Sequence, residues 1–292
     1  MTNLTAPENP VAAFEAANAE LQKQQRTGTF FFAALFLIIT AISLYVGEVR
    51  IDVILADLPG LFRYVHGTFP VIHADTALSD IKAWYWAFPV WLSLLFDTLI
   101  IAFLGTSLGA AGAFLLCFSG SRNLVRNTWI YLISRRIMEF ARSVPELVYA
   151  MIFVFAFGLG PFPGVLAIAV HTCGSLGKLF SEVNENVNED QIEGVRASGA
   201  NWFQIIRYAV VPQVMPNFLS YALLRFEINV RSASVIGLVG AGGIGQELMF
   251  VIRQFVYQDI SAIVLMIICT VAVIDISCEK LRHHIIGNED LI

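Results

Sequence analysis

Long apolar runs alternate with short polar segments along almost the entire chain. A transmembrane helix needs roughly 20 mostly apolar residues, and six runs approach that length, two of them short and two long. Their approximate bounds are Thr29–Val46, Phe88–Cys117, Arg142–Leu159, Val165–Phe180, Met215–Val239 and Ile260–Ser277. This pattern predicts an all-α membrane protein with about six transmembrane helices.

Composition supports the membrane assignment. Of the 292 residues, 57% are hydrophobic and 14% are charged, and the mean hydropathy is +0.69. Soluble domains have about 25% charged residues. The four cysteines fall in or at the ends of the apolar runs, without a Cys-x-x-Cys pair. We therefore predict that they act as small apolar side chains and that the chain has no metal site.

The distribution of Lys and Arg predicts the orientation of the chain. With the N-terminus inside, 12 of the 18 basic residues lie in cytoplasmic parts and 4 lie in outer parts, while Arg225 and Arg231 lie in the fifth span. Cytoplasmic loops carry an excess of Lys and Arg. Both termini are therefore predicted to be cytoplasmic.

The chain is predicted to have four parts. Residues 1–28 form a cytoplasmic segment in which Asn9-Pro10 signals the start of a helix, and the acidic residues there argue against a cleaved signal peptide. Residues 29–87 hold the first span and an outer interfacial segment. Residues 88–284 form the transmembrane core, with a cytoplasmic loop near 185–212, and residues 285–292 form a tail.

The outer interfacial segment has two further features. Its apolar face, in the sequence LPGLFRYVHGTFP, is broken by proline and glycine residues. Trp84, Tyr85 and Trp86 stand where an aromatic belt at the membrane surface is expected.

A glycine-rich stretch, GAGGIG, follows the fifth span at Gly240–Gly245. It matches the dinucleotide fingerprint G-x-G-x-x-G, but that fingerprint needs a βαβ unit, and this stretch leads from one span towards another. We predict instead that the glycines allow close backbone approach or break a helix. Because glycine changes backbone conformation at little cost, we predict a hinge or gate formed by Gly237, Gly240, Gly242, Gly243 and Gly245.

The polar stretch EGVRASGANWFQIIRYAVVP interrupts the spans. It resembles the cytoplasmic loop signature of ABC importer permeases, E-A-A-x3-G-x9-I-x-L-P, with Glu193, Gly199 and Pro212 at the expected spacing. The resemblance implies two short helices that join at Gly199 and dock in a groove on an ATP-hydrolysing subunit. An amphipathic helix on the inner leaflet is the alternative.

Two sets of residues belong to this prediction. The docking loop comprises Glu193, Gly194, Ala197, Gly199, Trp202, Phe203 and Pro212. An apolar docking surface is expected from Trp202, Phe203, Ile205, Ile206 and Tyr208, with Arg196 and Arg207 at its rim. Gly199 is expected to adopt a positive φ and to end a helix.

The resemblance extends over most of the chain after residue 88. Leu94–Ala110, Phe140–Glu182 and Val230–Leu248 are similar to the permease subunit of phosphonate ABC importers. The resemblance implies a type I importer permease fold in the bacterial inner membrane and transport of phosphonate or a related phosphorus oxyanion. Permeases for methionine share the glycine-rich end, so another small solute is the alternative.

The partners follow from the resemblance and from a missing motif. The chain lacks the Walker A sequence G-x-x-x-x-G-K-[ST], so we expect no enzyme activity and no cofactor on this chain. The resemblance implies two ATPase subunits that bind ATP-Mg, a second permease copy or paralogue, and an extracytoplasmic phosphonate-binding protein. Lipid is an expected partner and nucleic acid is not.

Ionisable side chains inside spans cost about 2.5–3.5 kcal/mol each and are functional candidates. Glu227 and Arg231 have i,i+4 spacing and can pair with each other, as can Arg142 and Glu146 around Pro145. Arg225 has no partner at that spacing, and Asp97 is a candidate to neutralise one of the arginines.

A phosphorus oxyanion needs donors along its route, and the planar fork of Arg suits its oxygens. The candidate substrate pathway comprises Arg142, Glu146, His171, Arg225, Arg231, Ser232 and Ser234. The roles of Arg231 as a salt-bridge partner and as a solute contact both stay open. A proton-coupled transporter using Asp97, Glu227 and His171 is less favoured, since no internal repeat is visible, and no catalytic set supports a membrane enzyme.

Overall fold

The computed structural model describes residues 10–287, and its regular secondary structure over that range is helical throughout. By its internal contacts the chain divides into two compact units, residues 1–65 and residues 66–292.

The first unit is dominated by one long helix, α1 (Pro10–Val46). It joins the polar N-terminal segment and the first apolar run without a break, and the first described helical residue is Pro10, as the helix-start signal predicts; Asn9 lies outside the described residues. A second helix, α2 (Ile51–Thr68), begins in this unit and passes through Pro59 and Gly60.

The second unit holds the remaining helices. They are α3 (Ala77–Trp84), α4 (Phe88–Cys117), α5 (Thr128–Ser143), α6 (Glu146–Phe157), α7 (Pro161–Glu185), α8 (Glu189–Ala197), α9 (Trp202–Ile205), a π-helical turn (Ile206–Val210), α10 (Val211–Ile236), a 3-10 turn (Gly237–Val239), α11 (Ile244–Arg253) and α12 (Tyr257–Gly287).

Helices α4, α7 and α10 form the centre of this unit. Glycines bring α4 and α7 together: a Cβ atom on Gly105 would lie 2.7 Å from Cβ of Ile168, and one on Gly109 would lie 2.7 Å from Cβ of Thr172. In membranes, small residues at a helix crossing allow the backbones to approach closely. Helices α5 and α6 pack against α7, and α12 packs against α10.

Within the described residues, four helical segments are long and apolar enough to cross a membrane: Asn18–Val46, α4, α7 and Tyr257–Ile285. Two bent pairs raise the number to six if each is one span: α5 with α6, bent by 87°, and Trp202–Val239 with α11, bent by 44°. The predicted second span coincides with α4 residue for residue.

The predicted third span, Arg142–Leu159, is wrong as a single helix. Arg142 lies in the last turn of α5, and α6 has only 12 residues, about 18 Å at 1.5 Å per residue, whereas the hydrocarbon core is about 30 Å thick. The cause is Pro145, because proline pushes the preceding residue out of the helical region. Val144 is accordingly extended, with φ −82° and ψ 127°.

The aromatic residues before α4 attach it to the start of α12. Trp84 Nε1 donates to the carbonyl oxygen of Gln258 at 3.0 Å and to Oγ of Ser261 at 3.2 Å. Trp86 Nε1 lies 3.3 Å from both carboxylate oxygens of Asp259. These side chains therefore bind a neighbouring helix as well as lying where the sequence predicts a belt.

A polar turn precedes α3. The backbone N–H of His73 and the hydroxyl of Thr76 each donate to Oδ2 of Asp80 at 3.0 Å. Because both bonds favour the ionised carboxylate, they hold the pKa of Asp80 below its usual value. The turn is thereby fixed by a charged acceptor at neutral pH.

Candidate functional site

The segment after α7 folds into two short helices, α8 and α9, that we call the two-helix segment (residues 189–212). Each helix has an asparagine cap: Oδ1 of Asn188 accepts from the backbone N–H of Asp190, and Asn201 exchanges hydrogen bonds with Gln204. Between the two helices, Gly199 has φ +84°, and its N–H donates to the carbonyl of Arg196 at 3.0 Å. The predicted turn and helix end at Gly199 are confirmed.

The surface of the two-helix segment differs from the prediction at two residues. Ile205 and Ile206 are buried in the core cluster of the chain, so they cannot contribute to an exposed docking surface. Phe203 and Tyr208 are 75% and 64% exposed, and Trp202 donates its Nε1 hydrogen to the carbonyl of Leu124 at 2.9 Å. Apolar periodicity does not distinguish a core face from a docking face, which explains the error.

The other predicted docking residues lie on the outside of this segment. Glu193, Gly194 and Ala197 are exposed on α8, and Pro212 is exposed in the first turn of α10. The π-helical turn ends at Val210, two residues before Pro212, and the N–H of Val211 bonds to the carbonyl of Ile206. Proline in a first helical turn gives up no intrahelical hydrogen bond.

A first charge cluster joins α6, α7 and α10 inside the bundle. Nη2 of Arg225 donates to Oε1 of Glu146 at 2.5 Å, and Nε2 of His171 lies 3.6 Å from the same oxygen. Nδ1 of His171 lies 3.0 Å from the carbonyl oxygen of Val144. Because a carbonyl can only accept, Nδ1 carries a hydrogen in this arrangement. The cluster therefore binds the bend between α5 and α6 to both neighbouring helices.

This cluster corrects one predicted ion pair. Arg142 is exposed at the end of α5, and Glu146 bonds to Arg225 instead. The i,i+4 rule requires a continuous helix, and the bend at Val144 and Pro145 interrupts it. Since Glu146 and Arg225 are 79 residues apart in the chain, local spacing gives no signal for their contact.

A second charge cluster joins α10 and α12. Nη2 of Arg231 lies 2.6 Å from Oε1 of Glu227 and 3.7 Å from Oδ1 of Asp275. The predicted i,i+4 pair is confirmed, and Asp275 is a member that the sequence did not indicate. The guanidinium remains accessible, because the Arg231 side chain is 48% exposed.

Asp97 does not neutralise either intramembrane arginine. It lies on the exposed side of α4, and both Arg225 and Arg231 have other carboxylates. The residues that the structure describes give Asp97 no ion pair.

A neutral hydrogen-bond cluster lies at the centre of the bundle and was missed in the sequence. Nδ2 of Asn229 on α10 donates to Oγ1 of Thr106 at 2.8 Å and to Oγ1 of Thr172 at 2.9 Å. All three residues are buried. The amide therefore connects α10 to α4 and α7, close to the glycines at the α4–α7 crossing.

The two predicted serine donors differ in position. Ser234 is buried, and its hydroxyl is 3.4 Å from the carbonyl of Val230 in its own helix. Ser232 is half-buried beside Arg231. Ser232 is thus the better placed of the two to meet a solute near that arginine.

The glycine-rich segment breaks the helix after Ile236 and packs tightly. Gly240, Gly242 and Gly243 have φ of 91°, 84° and 72°. A Cβ atom on Gly237 would lie 2.7 Å from the carbonyl oxygen of Gly242, and the carbonyl of Gly240 accepts from Gly160 at 3.0 Å. Both predicted features, close approach and a helix break, are confirmed. No β-strand occurs between residues 10 and 287, so a dinucleotide unit is not formed there.

The N-terminus of α11 is bound to α4. Thr98 Oγ1 accepts from the backbone N–H of Ile244 at 2.9 Å. Gly245, the last glycine of the predicted gate, is buried against the Gly237 turn. Any movement of this segment must therefore break contacts with α4 and α10.

Comparison with known proteins identifies the family. Residues 105–285, more than half of the chain, match the family of binding-protein-dependent transport system inner membrane components. The chain belongs to this family. It is a transport subunit and a multi-pass inner membrane protein, which confirms the resemblance drawn from the sequence.

Two relatives and one solved structure are informative. The putative phosphite transport system permease protein HtxC of Stutzerimonas stutzeri is 34% identical over 94% of this chain and 93% of its own. A putative cryptic phosphonate transport system permease protein of Escherichia coli, PhnE2, is 50% identical over 42% of this chain and all of its own. The MetNI methionine ABC transporter in an inward-facing conformation matches 67% of this chain and 95% of that chain, with TM-score 0.58 and 18% identity. The last comparison shows the permease fold of the transmembrane core.

Proposed function

We propose that this chain is the permease subunit of an ATP-driven importer that carries a phosphonate or a related phosphorus oxyanion. The observation that carries the proposal is the two-helix segment, whose turn at Gly199 and exposed side chains suit docking to a partner subunit. The names of the relatives, which specify phosphite and phosphonate transport, support this solute class. The family match also argues against a proton-coupled transporter.

The assembly we propose contains two copies of an ATPase that bind ATP-Mg and hydrolyse it. It also contains a second permease copy or paralogue and an extracytoplasmic binding protein that delivers the solute. Phe203 and Tyr208 would enter the groove of the ATPase, with Glu193 and Arg207 at the rim, because all four are exposed on the two-helix segment. This chain itself would bind no cofactor.

The solute class can be tested with the reconstituted transporter. The chain is assembled in proteoliposomes with its partner ATPase and binding protein, and uptake of methylphosphonate, phosphite and methionine is measured with and without ATP. We expect ATP-dependent uptake of a phosphorus oxyanion and none of methionine. Uptake of methionine alone would establish the alternative solute and reject the phosphorus oxyanion.

We further propose that Arg231 contacts the solute during its passage. Its guanidinium is half exposed, with Glu227 at 2.6 Å and Asp275 farther away at 3.7 Å, so an oxyanion can compete for its donors. Lys preserves the charge and loses the bidentate geometry. We expect Arg231→Lys to lower uptake about tenfold, equivalent to about 1.4 kcal/mol, at equal amounts of assembled transporter.

The control for this substitution is Arg136→Lys. Arg136 is exposed and pairs with Glu139 three residues away in α5, so its replacement should leave uptake unchanged. Full uptake by Arg231→Lys would instead assign Arg231 to the structural pair with Glu227.

We propose that the glycine-rich segment acts as the gate. Leu238, in its 3-10 turn, is half-buried, and a cysteine there avoids the glycine positions that have no room for a side chain. In a background lacking the four native cysteines, Leu238→Cys should react with a maleimide at different rates with trapped ATP and without nucleotide. Gln254→Cys, at the exposed end of α11, serves as the control. Equal rates at Leu238→Cys in the two states would contradict the gate.

A further inference from the structure

A basic groove of about 770 Å³ lies where the loop between α4 and α5 meets the two-helix segment. Arg122 and Arg126 line it from the loop, and Arg196 lines it from α8. Leu124 and Trp202 are among the apolar side chains of its wall. The groove thus combines cationic donors with an apolar surface.

The positive charge of this groove is not compensated within the described part of the chain. No residue that lines it is acidic, and no ion pair joins Arg122, Arg126 or Arg196 to a described carboxylate. The nearby Glu185 binds Arg135 and the backbone N–H of Arg122. Guanidinium groups suit an anion with several oxygens, such as a phosphate group.

The position of the groove brings it to the membrane surface. The loop that contributes Arg122 and Arg126 follows the end of α4 at Cys117 and precedes the bent pair α5–α6. Because α4 is long and apolar enough to cross a membrane, a loop that begins directly at its end lies near the level of the lipid headgroups. Basic pockets at the ends of transmembrane helices bind anionic headgroups.

An apolar surface continues from the groove along α5. Ile130 lines the groove, and Trp129, Ile133 and Ile137 are exposed on the same helix. Residues four apart lie on one face of a helix, so these side chains offer a track for hydrocarbon. Free phosphate has no part that would use this track, whereas a phospholipid has acyl chains.

A hydrogen bond connects the two walls of the groove. Nε1 of Trp202 donates to the carbonyl of Leu124 at 2.9 Å, which connects the two-helix segment to the α4–α5 loop. A ligand held by Arg126 and Arg196 would connect the same two segments, the α4–α5 loop and α8. Its phosphate would reduce the repulsion between the arginines and would hold the two walls together.

We propose that this groove binds the headgroup phosphate of an anionic phospholipid, with the acyl chains along the exposed face of α5. The lipid would fix the position of the two-helix segment relative to the membrane. This role is independent of the solute that the transporter carries. It adds a lipid site beside the residues proposed to dock to the ATPase, since Arg196 lies one helical turn from Glu193 on α8.

The test measures lipid retained by the assembled transporter. The complex is purified in detergent with equimolar phosphatidylglycerol and phosphatidylcholine, and bound lipid is counted by native mass spectrometry. We expect wild type to retain phosphatidylglycerol about tenfold more than phosphatidylcholine. The triple variant Arg122→Gln, Arg126→Gln, Arg196→Gln should lose this preference. The control Arg253→Gln should keep it, because Arg253 is exposed at the end of α11 and does not line the groove.

Three outcomes would overturn the proposal. An unchanged preference in the triple variant would place lipid binding elsewhere. Displacement of phosphatidylglycerol by millimolar inorganic phosphate would identify a site for a free anion. Loss of the ATPase from the triple variant with the lipid preference intact would assign the arginines to protein docking. The triple variant must have the same thermal unfolding midpoint as the wild type. If it does not fold, lipid retention is measured for each of the three single variants.

Discussion

Replacing Glu146 by Gln should destabilise the protein by about 3–5 kcal/mol, because it leaves a buried charge without its partner. The side chains of Glu146 and Arg225 are only 12% and 15% exposed, and Nε of Arg225 already has no hydrogen-bond partner. His171 would also lose the carboxylate that faces its Nε2 atom. The measurement is the free energy of unfolding of the purified chain in bicelles, determined by steric trapping.

Two further variants separate the ion pair from general effects of substitution. Glu139→Gln removes an ion pair whose Arg136 side chain is 75% exposed, and such pairs contribute about 0–1 kcal/mol. Replacing Glu146 and Arg225 together by Leu removes both charges and should recover most of the lost stability. Normal stability with abolished uptake in Glu146→Gln would contradict the structural role and place Glu146 on the solute route.

Sequence patterns within one short segment were sufficient to predict the features that depend on that segment alone. The bounds of α4, the positive φ of Gly199 and the pair of Glu227 with Arg231 all follow from apolar length, glycine conformation or i,i+4 spacing. Each of these features lies within one continuous segment of 30 residues or fewer. For such features, no knowledge of packing is required.

Contacts between distant segments could not be predicted in this way. Asn229 binds threonines that are 57 and 123 residues away, and Glu146 meets Arg225 across 79 residues. Which polar groups meet inside the membrane depends on the rotation of each helix about its axis, and packing against neighbours sets that rotation. A uniformly apolar helix such as α4 gives little indication of its buried side. The glycines at the α4–α7 crossing are the one signal that could have indicated the central position of Asn229 and Thr172.

Pro145 shows an intermediate case. The proline was visible in the sequence, and its effect on Val144 follows from a general steric rule. The 87° angle between α5 and α6 does not follow from that rule alone. It is set together with the contacts that Glu146 and His171 make on the far side of the bend.

Replacing Gly199 by Val should uncouple uptake from ATP hydrolysis in the proposed importer. Gly199 has φ +84°, a conformation that is an outlier for a β-branched residue and costs about 1–2 kcal/mol for L residues. No atom lies within 4 Å of the position of a Cβ, so the strain comes from the backbone alone and should change the angle between α8 and α9. We expect uptake to fall at least about tenfold while the ATPase remains active and the protein remains in the membrane. Uptake and ATP hydrolysis are measured on the same proteoliposomes.

The two glycines of this segment provide a matched comparison, since they differ in conformation and share open surroundings. Gly194 is helical, without a positive φ and without atoms within 4 Å of a Cβ, so Gly194→Ala should retain full uptake. Gly199→Asn should be intermediate, because asparagine tolerates the left-handed region better than valine does. If Gly199→Val transported at the wild-type rate at equal expression, the angle of this turn would not transmit ATPase closure. We expect uptake to decrease in the order Gly194→Ala, Gly199→Asn, Gly199→Val. This order would connect transport to the backbone conformation at residue 199, because neither glycine has an atom within 4 Å of the position of a Cβ.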